Sequence, residues 1–146
     1  LLEKALHRRG LRLLYAVAWP GQGFYTNAPL RTIDDLKGIR MRTYSPLTAR
    51  LAELLGAAPT VVPIPEVPRM FSSGALHAML TSSATGAATR AWEFTKHYYR
   101  TNAFHPKNAV VVNERAFQRL AQGKRQALFD AARRAETRGW EMSRSN

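Results

Sequence analysis

Cysteine is absent from the 146 residues, acids are scarce (10 Asp and Glu against 22 Lys and Arg), and the basic residues are 17 Arg to only 5 Lys. Without cysteine there is no disulfide framework, no thiolate metal site and no cysteine nucleophile. The absence is silent about compartment, because a thiol-free chain is indifferent to redox state. The four histidines, His7, His77, His97 and His105, fall in no HxxxH, HxH or HExxH spacing, so a zinc site has no support. No G-x-S-x-G, phosphate-binding loop or G-x-G-x-x-G occurs, and Gly21-Gln22-Gly23 reads as a turn. The few carboxylates form no pair spaced for acid–base work. Long apolar runs are missing too: the longest stretch without Asp, Glu, Lys or Arg, Met70–Thr89, is rich in Ser, Thr and Gly. That is not a bilayer span. The opening Leu1-Leu2-Glu3-Lys4-Ala5-Leu6-His7-Arg8-Arg9 is an amphipathic helix without the apolar centre or cleavage site of a secretion signal. The chain therefore reads as part of something longer.

What is present in excess is positive charge, a formal +12. Such an excess invites a nucleic-acid or anionic-membrane partner. Its distribution favours a dispersed surface: residues 1–10 contribute +2, residues 11–100 contribute +5 and residues 101–146 contribute +5. No block of five or six like charges forms a basic arm. Arginine used in place of lysine, with alanine 22 times, is also what a GC-rich coding sequence produces.

Along the chain, Leu11–Trp19 has the length and apolar character of a strand buried on both faces, and Pro20–Gly23 ends it as a loop. Thr32–Gly38 is a one-turn helix, with Thr32 and Asp35 as a capping box and Gly38 as a left-handed stop. Ile39–Tyr44 alternates as a strand. Ser45-Pro46 opens a helix with Ser as N-cap and Pro at its first position; Leu47, Leu51, Leu54 and Leu55 form its expected buried stripe and Gly56 closes it. Thr60–Ile64 is a strand, Glu66–Ser73 a short helix, Ala75–Thr81 a strand, and Ser82–Gly86 a polar turn before a helix running through Trp92-Glu93-Phe94. Trp92, Phe94, Tyr98 and Tyr99 are expected to pack. His97–Phe104 and Ala109–Val112 are extended, Asn113 caps a short helix, and Lys124–Met142 is a long one with Leu128, Ala131, Ala132 and Ala135 on one face. Alternating strands and helices over residues 11–100 argue an α/β sheet with parallel pairings.

Ligands of open α/β sheets sit beyond the carboxyl ends of the strands. The strand ends here offer Trp19–Gln22, Arg42–Tyr44 and Thr81–Ser83. Arg42, Gln22, Trp19, Tyr44, Thr81 and Ser82 together supply a guanidinium, an amide, hydroxyls and aromatic surface. That set suits a small organic anion: arginine grips a carboxylate with two parallel charge-assisted bonds, and aromatics cover the apolar part. No metal or cofactor site is expected. A lone strand-end arginine is equally a solvated surface residue.

At this point the motifs become familiar. Pro29-Leu30-Arg31-Thr32-Ile33-Asp34-Asp35-Leu36-Lys37-Gly38-Ile39-Arg40-Met41-Arg42 resembles the P-I-x-S-x-x-D-L-K-G-L-K-I-R signature of TRAP-transporter extracytoplasmic solute-binding proteins of the DctP type. Leu54-Leu55-Gly56-Ala57-Ala58-Pro59 is similar to that family's A-L-G-A-N-P. Pro65-Glu66-Val67 followed by Ser73-Gly74-Ala75-Leu76-His77-Ala78 is similar to its S-E-V and Q-x-G-x-V-D-G pieces, and Trp92-Glu93-Phe94-Thr95-Lys96-His97-Tyr98-Tyr99 to its W-E-x-x-K-Y-Y. Val110-Val111-Val112-Asn113 and a long last helix follow in the same order. The resemblance implies a periplasmic receptor that captures a small carboxylate-bearing solute and hands it to membrane permease subunits, with no enzymatic role and no cofactor. It implies an incomplete two-lobe fold: an α/β, type II periplasmic-binding-protein-like lobe with a mixed, mainly parallel sheet flanked by helices, plus the long C-terminal helix. Residues 1–10 would be a helix entering from a missing first lobe, 11–100 the ligand-binding lobe, and 101–146 the crossing strands and long helix. Arg42 matches the family arginine that pairs with the solute carboxylate. Gln22 stands where some members carry a second arginine, Thr81-Ser82 where some carry Asn-Pro, and His77 replaces a common Asp. These departures bear on the solute more than on the fold.

Two readings stay open beside this one: a basic nucleic-acid-binding module, which the dispersed charge disfavours, and an enzyme on a periplasmic-binding-like fold, for which no catalytic constellation is visible. A half-receptor would also expose apolar surface, so self-association is expected, with exchange through the extended region His97–Val112 as its route.

Overall fold

The structure is a computed structural model and describes residues 1–145. The chain divides into two compact units, Gly21–Phe104 and a second made of Leu1–Pro20 with His105–Asn146. The expected lobe of residues 11–100 thus differs from the Gly21–Phe104 unit at its start. The reason is strand pairing: β1 (Leu11–Ala18) is hydrogen-bonded to no strand of the larger sheet but runs antiparallel to β7 (Lys107–Asn113).

Gly21–Phe104 holds a five-stranded sheet in the order β4-β3-β5-β2-β6, with β2 Gln22–Thr26, β3 Arg40–Thr43, β4 Ala58–Val61, β5 Ala78–Ser82 and β6 His97–Tyr99. The sheet is mixed: β3 pairs parallel with β4 and β5, whereas β2 pairs antiparallel with β5 and β6. Parallel pairings are therefore half of the set, not its main part. Strand β2 falls where the sequence reads a loop at Pro20–Gly23, and the polar turn expected at Ser82–Gly86 is the start of helix α4 (Ser83–Ala88), with Ser82 as its N-cap. The helix expected to continue through Phe94 stops at Ala88; Arg90 takes a left-handed conformation, φ +53°, and a short 3-10 turn, Ala91–Glu93, follows.

Side chains alternate across the strands, and this builds two cores, one on each face of the sheet. Phe24, Met41, Ala78 and Leu80 join Leu36, Ala52 and Ala57 in one cluster. Tyr25 and Met79 join Val62, Val67, Phe71, Leu76 and Ala91 in the other. Helix α2 (Pro46–Leu54) turns a different stripe inward from the one expected. Thr48 and Ala52 are buried and Leu51 and Leu55 pack on the core, while Leu47 and Leu54 are 65% and 67% exposed. Helix α3 (Val67–Ser72) is preceded by a 3-10 turn at Ile64–Glu66, because Pro68 fits only the first turn of an α-helix. Phe94 packs on Phe71 with its ring tilted by 45°, centroids 5.4 Å apart, but Trp92 is 65% exposed on a groove of about 360 Å³ that Tyr25 and Tyr98 also line.

The local signals at residues 31–48 hold. The Asp35 carboxylate accepts the Arg31 and Thr32 N–H groups at 2.6 and 2.8 Å, which lowers its pKa, and Gly38 sits at φ +74°. Ser45 Oγ accepts the Thr48 N–H at 3.2 Å, and Thr48 Oγ1 accepts the N–H groups of Tyr44 and Ser45 at 3.0 Å each.

In the second unit, helix α1 (Leu2–His7) leads into β1, and α6 (Gln122–Arg144) packs on β1, where Ser143 Oγ donates to the Ala18 carbonyl at 2.6 Å. Of its expected face, Ala132 is buried and Leu128 and Ala135 are half-buried, but Ala131 is exposed. Helix α5 (Glu114–Gln118) is capped by Asn113, as expected. Among the described residues no helix is long and apolar enough to cross a membrane.

The start of β1 is tied to α5 by Arg12, whose Nε and Nη2 donate to the two Glu114 carboxylate oxygens at 2.9 and 2.7 Å while its guanidinium lies 4.7 Å from the Phe117 ring centroid. The bonds from Arg12 and from Gln118 hold the Glu114 pKa down at about 2, against an ordinary 4.5. A carboxylate depressed in the folded state adds stability above its unfolded pKa and loses it as pH falls through the folded one. Comparing urea midpoints of the parent and Glu114→Gln from pH 7 to pH 2 should show a parent advantage at neutral pH that shrinks between about pH 4.5 and 2. A constant difference over that range would mean that the ion pair adds nothing beyond packing.

Candidate functional site

The sheet edge that gathers functional groups is formed by the carboxyl ends of β3, β4 and β5 and the amino end of β2. Register brings them together. Gln22 lies opposite Ser82 and Gly23 opposite Thr81, and Arg42 neighbours Met79 on one side and Thr60 on the other. Gly23 is glycine because a Cβ there would come within 2.5 Å of the Tyr99 carbonyl and 2.6 Å of the Tyr98 ring.

Arg42 is the unusual member. It is 5% exposed, yet none of the ion pairs among the described residues includes it. Its Nε donates to the Val62 carbonyl at 2.9 Å, and its guanidinium carbon lies 4.9 Å from the Tyr44 ring centroid. Burial pulls its pKa down, with Tyr44 opposing that pull. Burying an ionised group without a counter-charge is costly, and such charges are ordinarily paired. The strand thus holds a buried cation whose contacts among the described residues are a carbonyl and an aromatic ring.

Gln22, 2% exposed, accepts the Tyr44 hydroxyl proton on Oε1 at 3.3 Å, and its main-chain carbonyl accepts from the Ala103 N–H at 3.0 Å and Thr101 Oγ1 at 3.1 Å. Thr81 and Ser82 are buried beside it. Ser82 Oγ is engaged in capping α4: it accepts the Thr85 N–H at 3.1 Å and donates to Thr85 Oγ1 at 3.0 Å. Arg42, Gln22, Tyr44, Thr81 and Ser82 thus all belong to the Gly21–Phe104 unit. Trp19 does not. It follows β1 in the other unit, where its N–H donates to the Pro106 carbonyl at 2.8 Å. His77 is structural: its Nδ1 accepts the Arg40 N–H at 3.2 Å, joining the starts of β3 and β5. Among the described residues no group of three acidic or histidine side chains could hold a metal ion.

One buried polar group escaped the sequence reading. Thr43 Oγ1, next to Arg42, is fully buried with no hydrogen-bond partner among the described residues. Nothing in an alternating strand sequence marks such a residue. Leaving a buried hydroxyl unpaired costs about 1–3 kcal/mol. Thr43→Val should therefore raise unfolding stability by about 1 kcal/mol in urea. A loss of stability would mean that the hydroxyl has a partner in solution.

The chain matches, over residues 1–146, the sequence family described as "Bacterial extracellular solute-binding protein, family 7", DctP. It is similar to a Bordetella pertussis extracytoplasmic solute receptor whose structure was solved binding pyroglutamic acid, with 49% identity and a TM-score of 0.93 over 99% of this chain and 48% of that one. It is also similar to a marine metagenome TRAP solute-binding protein specific for pyroglutamate, with 33% identity and a TM-score of 0.91 over 99% of this chain and 47% of that one. The 2,3-diketo-L-gulonate-binding periplasmic protein YiaO of Escherichia coli K12 is 29% identical over 138 residues, 92% of this chain and 42% of that protein. The chain thus spans about half the length of the relatives it matches. With the mixed sheet and the ordered motifs already described, the full-length match assigns the chain to the DctP family of TRAP solute-binding proteins.

Proposed function

We propose that the chain forms part of the solute-binding receptor of a TRAP transporter, and that its Gly21–Phe104 unit holds the carboxylate of a small organic acid on Arg42. The observation that carries this reading is the buried guanidinium, which no ion pair among the described residues includes. A carboxylate ligand would supply a counter-charge and two charge-assisted hydrogen bonds to the guanidinium. Gln22, Tyr44 and Thr81 would contact the rest of the solute, with Ser82 supporting them through its cap.

The solute we favour is pyroglutamate or a close relative: a five-membered ring carrying one carboxylate and one neutral polar group. Two relatives at 49% and 33% identity bind that compound. The neutral amide of Gln22 and the hydroxyl of Thr81 are suited to an uncharged polar group. Family membership supports a periplasmic receptor that passes its solute to membrane permease subunits, and a binding role in place of a catalytic one. Titration calorimetry with pyroglutamate, succinate and galacturonate tests the reading. Saturable binding of pyroglutamate, tighter than of the other two, is expected; no heat from any of them at millimolar concentration would overturn it.

A further inference from the structure

We infer that Tyr44 is a specificity-determining residue whose ring roofs the Arg42 guanidinium, so that the site takes a flat carboxylate end-on and rejects a tetrahedral anion such as a phosphonate. The inference rests on the carboxylate reading above and adds to it the shape of the anion and the atoms that meet it.

The N–H donors of a guanidinium lie in one plane, and a two-oxygen anion can take them in two ways. Side-on, it uses Nε and one Nη; end-on, it uses both Nη groups. In Arg42 the first way is closed. Nε donates to the Val62 carbonyl at 2.9 Å, whereas neither Nη has a hydrogen bond or an ion pair among the described residues. The group that holds Nε is part of the core. Val62 directly follows β4, is 4% exposed in the cluster of Val67, Phe71 and Met79, and donates its own N–H to the Thr43 carbonyl at 3.3 Å. What remains for a ligand is the Nη pair, whose two parallel N–H bonds match the two oxygens of a carboxylate.

A face of the guanidinium is covered as well. Its central carbon lies over the Tyr44 ring, 4.9 Å from the centroid, and the Tyr44 main chain is pinned by its N–H donating to Thr48 Oγ1 at 3.0 Å in the cap of α2. A carboxylate bound end-on keeps its oxygens and its first carbon in the guanidinium plane, clear of the ring. A phosphonate cannot. With two oxygens in that plane, its third oxygen and its carbon project to opposite sides, and one of them is driven toward the ring. An anionic oxygen there meets the negative face of the aromatic. Turning the molecule over drives its carbon skeleton into the ring instead. Discrimination of this kind comes from an obstacle placed against the wrong ligand, not from an added contact to the right one.

The test titrates pyroglutamate and its phosphonate analogue, 5-oxopyrrolidine-2-phosphonate, calorimetrically into this chain at about pH 5, where a phosphonate carries close to a single charge. The parent should prefer pyroglutamate by about tenfold or more. Tyr44→Phe keeps the ring and should keep that preference. Tyr44→Ala removes the roof: pyroglutamate should weaken by about fivefold with the cation–π contact gone, the phosphonate should not weaken, and the preference should fall to about threefold or less. The inference is overturned if the parent binds both ligands equally, if Tyr44→Phe loses the preference, which would assign it to the hydroxyl, or if Tyr44→Ala weakens both ligands by the same factor, as a merely structural residue would. If the parent binds neither ligand at millimolar concentration, it is the carboxylate reading that fails, and the inference with it. A second readout needs no change at Tyr44. In a chain carrying isotope-labelled arginine, with the Arg42 signals identified by their loss in Arg42→Lys, pyroglutamate should shift and sharpen the Nη proton resonances and leave Nε–H near its ligand-free position. A large shift of Nε–H with the Nη protons unchanged would mean that the carboxylate binds side-on, and would overturn the inference.

Discussion

Arg42→Met should abolish pyroglutamate binding and at the same time make the ligand-free chain harder to unfold. The two effects share one cause. In the ligand-free chain the guanidinium is withdrawn from water, with the Val62 carbonyl and the Tyr44 ring as its partners among the described residues. Methionine fills much of the same length without a charge to desolvate, and replacing buried ionic groups by apolar ones is often neutral or stabilising by about 1–4 kcal/mol. We expect the low end, about 1 kcal/mol, because the Val62 carbonyl loses its donor. With ligand, the balance reverses. Two hydrogen bonds to a charged group contribute about 1.5–3 kcal/mol each, so losing both should weaken binding by on the order of 100-fold or more. Arg42→Lys keeps the charge but not the planar fork, and should fall between. Calorimetry and urea unfolding on the three proteins decide the matter. Retained affinity in Arg42→Met would remove the arginine from the site. A clear loss of ligand-free stability would make it a structural residue bound to Val62.

Phe71→Ala should produce the largest loss of stability, about 3–5 kcal/mol, as expected for a buried aromatic cut back to alanine. Phe71 is at the centre of the cluster that includes Tyr25, Val62, Val67, Leu76 and Met79, and Phe94 rests on its ring. Domains of this size are stable by only about 5–15 kcal/mol, so the variant should be near the limit of folding at 37 °C. The same cluster holds Val62, whose carbonyl orients Arg42. Binding should therefore weaken as well, by less than in Arg42→Met. An unfolding midpoint close to the parent's would show that the cluster collapses to fill the cavity and that its packing is looser than its burial suggests.

Much of the strand-end geometry could be read from residues close in sequence. Thr32, Asp35 and Gly38, Ser45-Pro46, and Asn113 each announced a helix end, because a cap is a hydrogen bond across three or four residues. Arg42 could be placed near the end of an alternating strand, and the family resemblance is what singled it out. Leu47 and Leu54 misled, since a leucine repeat does not say which face of a helix meets a sheet; Ala52 and Thr48 face it instead. Ser82 looked like part of a polar turn and is a strand end and a helix cap at once. Strand β2 was hidden among prolines and glycines, and only its pairing with β5 and β6 makes Gln22–Thr26 a strand.

By itself, then, the sequence determined the family, the positions of the helix caps and the single arginine at a strand end, all of them features carried by neighbouring residues or by an ordered set of short motifs. The tertiary structure alone decided that β1 pairs with β7, that the Tyr44 hydroxyl donates to the amide of Gln22, and that Arg42 is buried without an ion pair among the described residues. Those facts depend on which segments meet across 20 to 100 positions of chain. The environment of a charge is a property of everything packed around it, and no residue type or spacing along the chain records that.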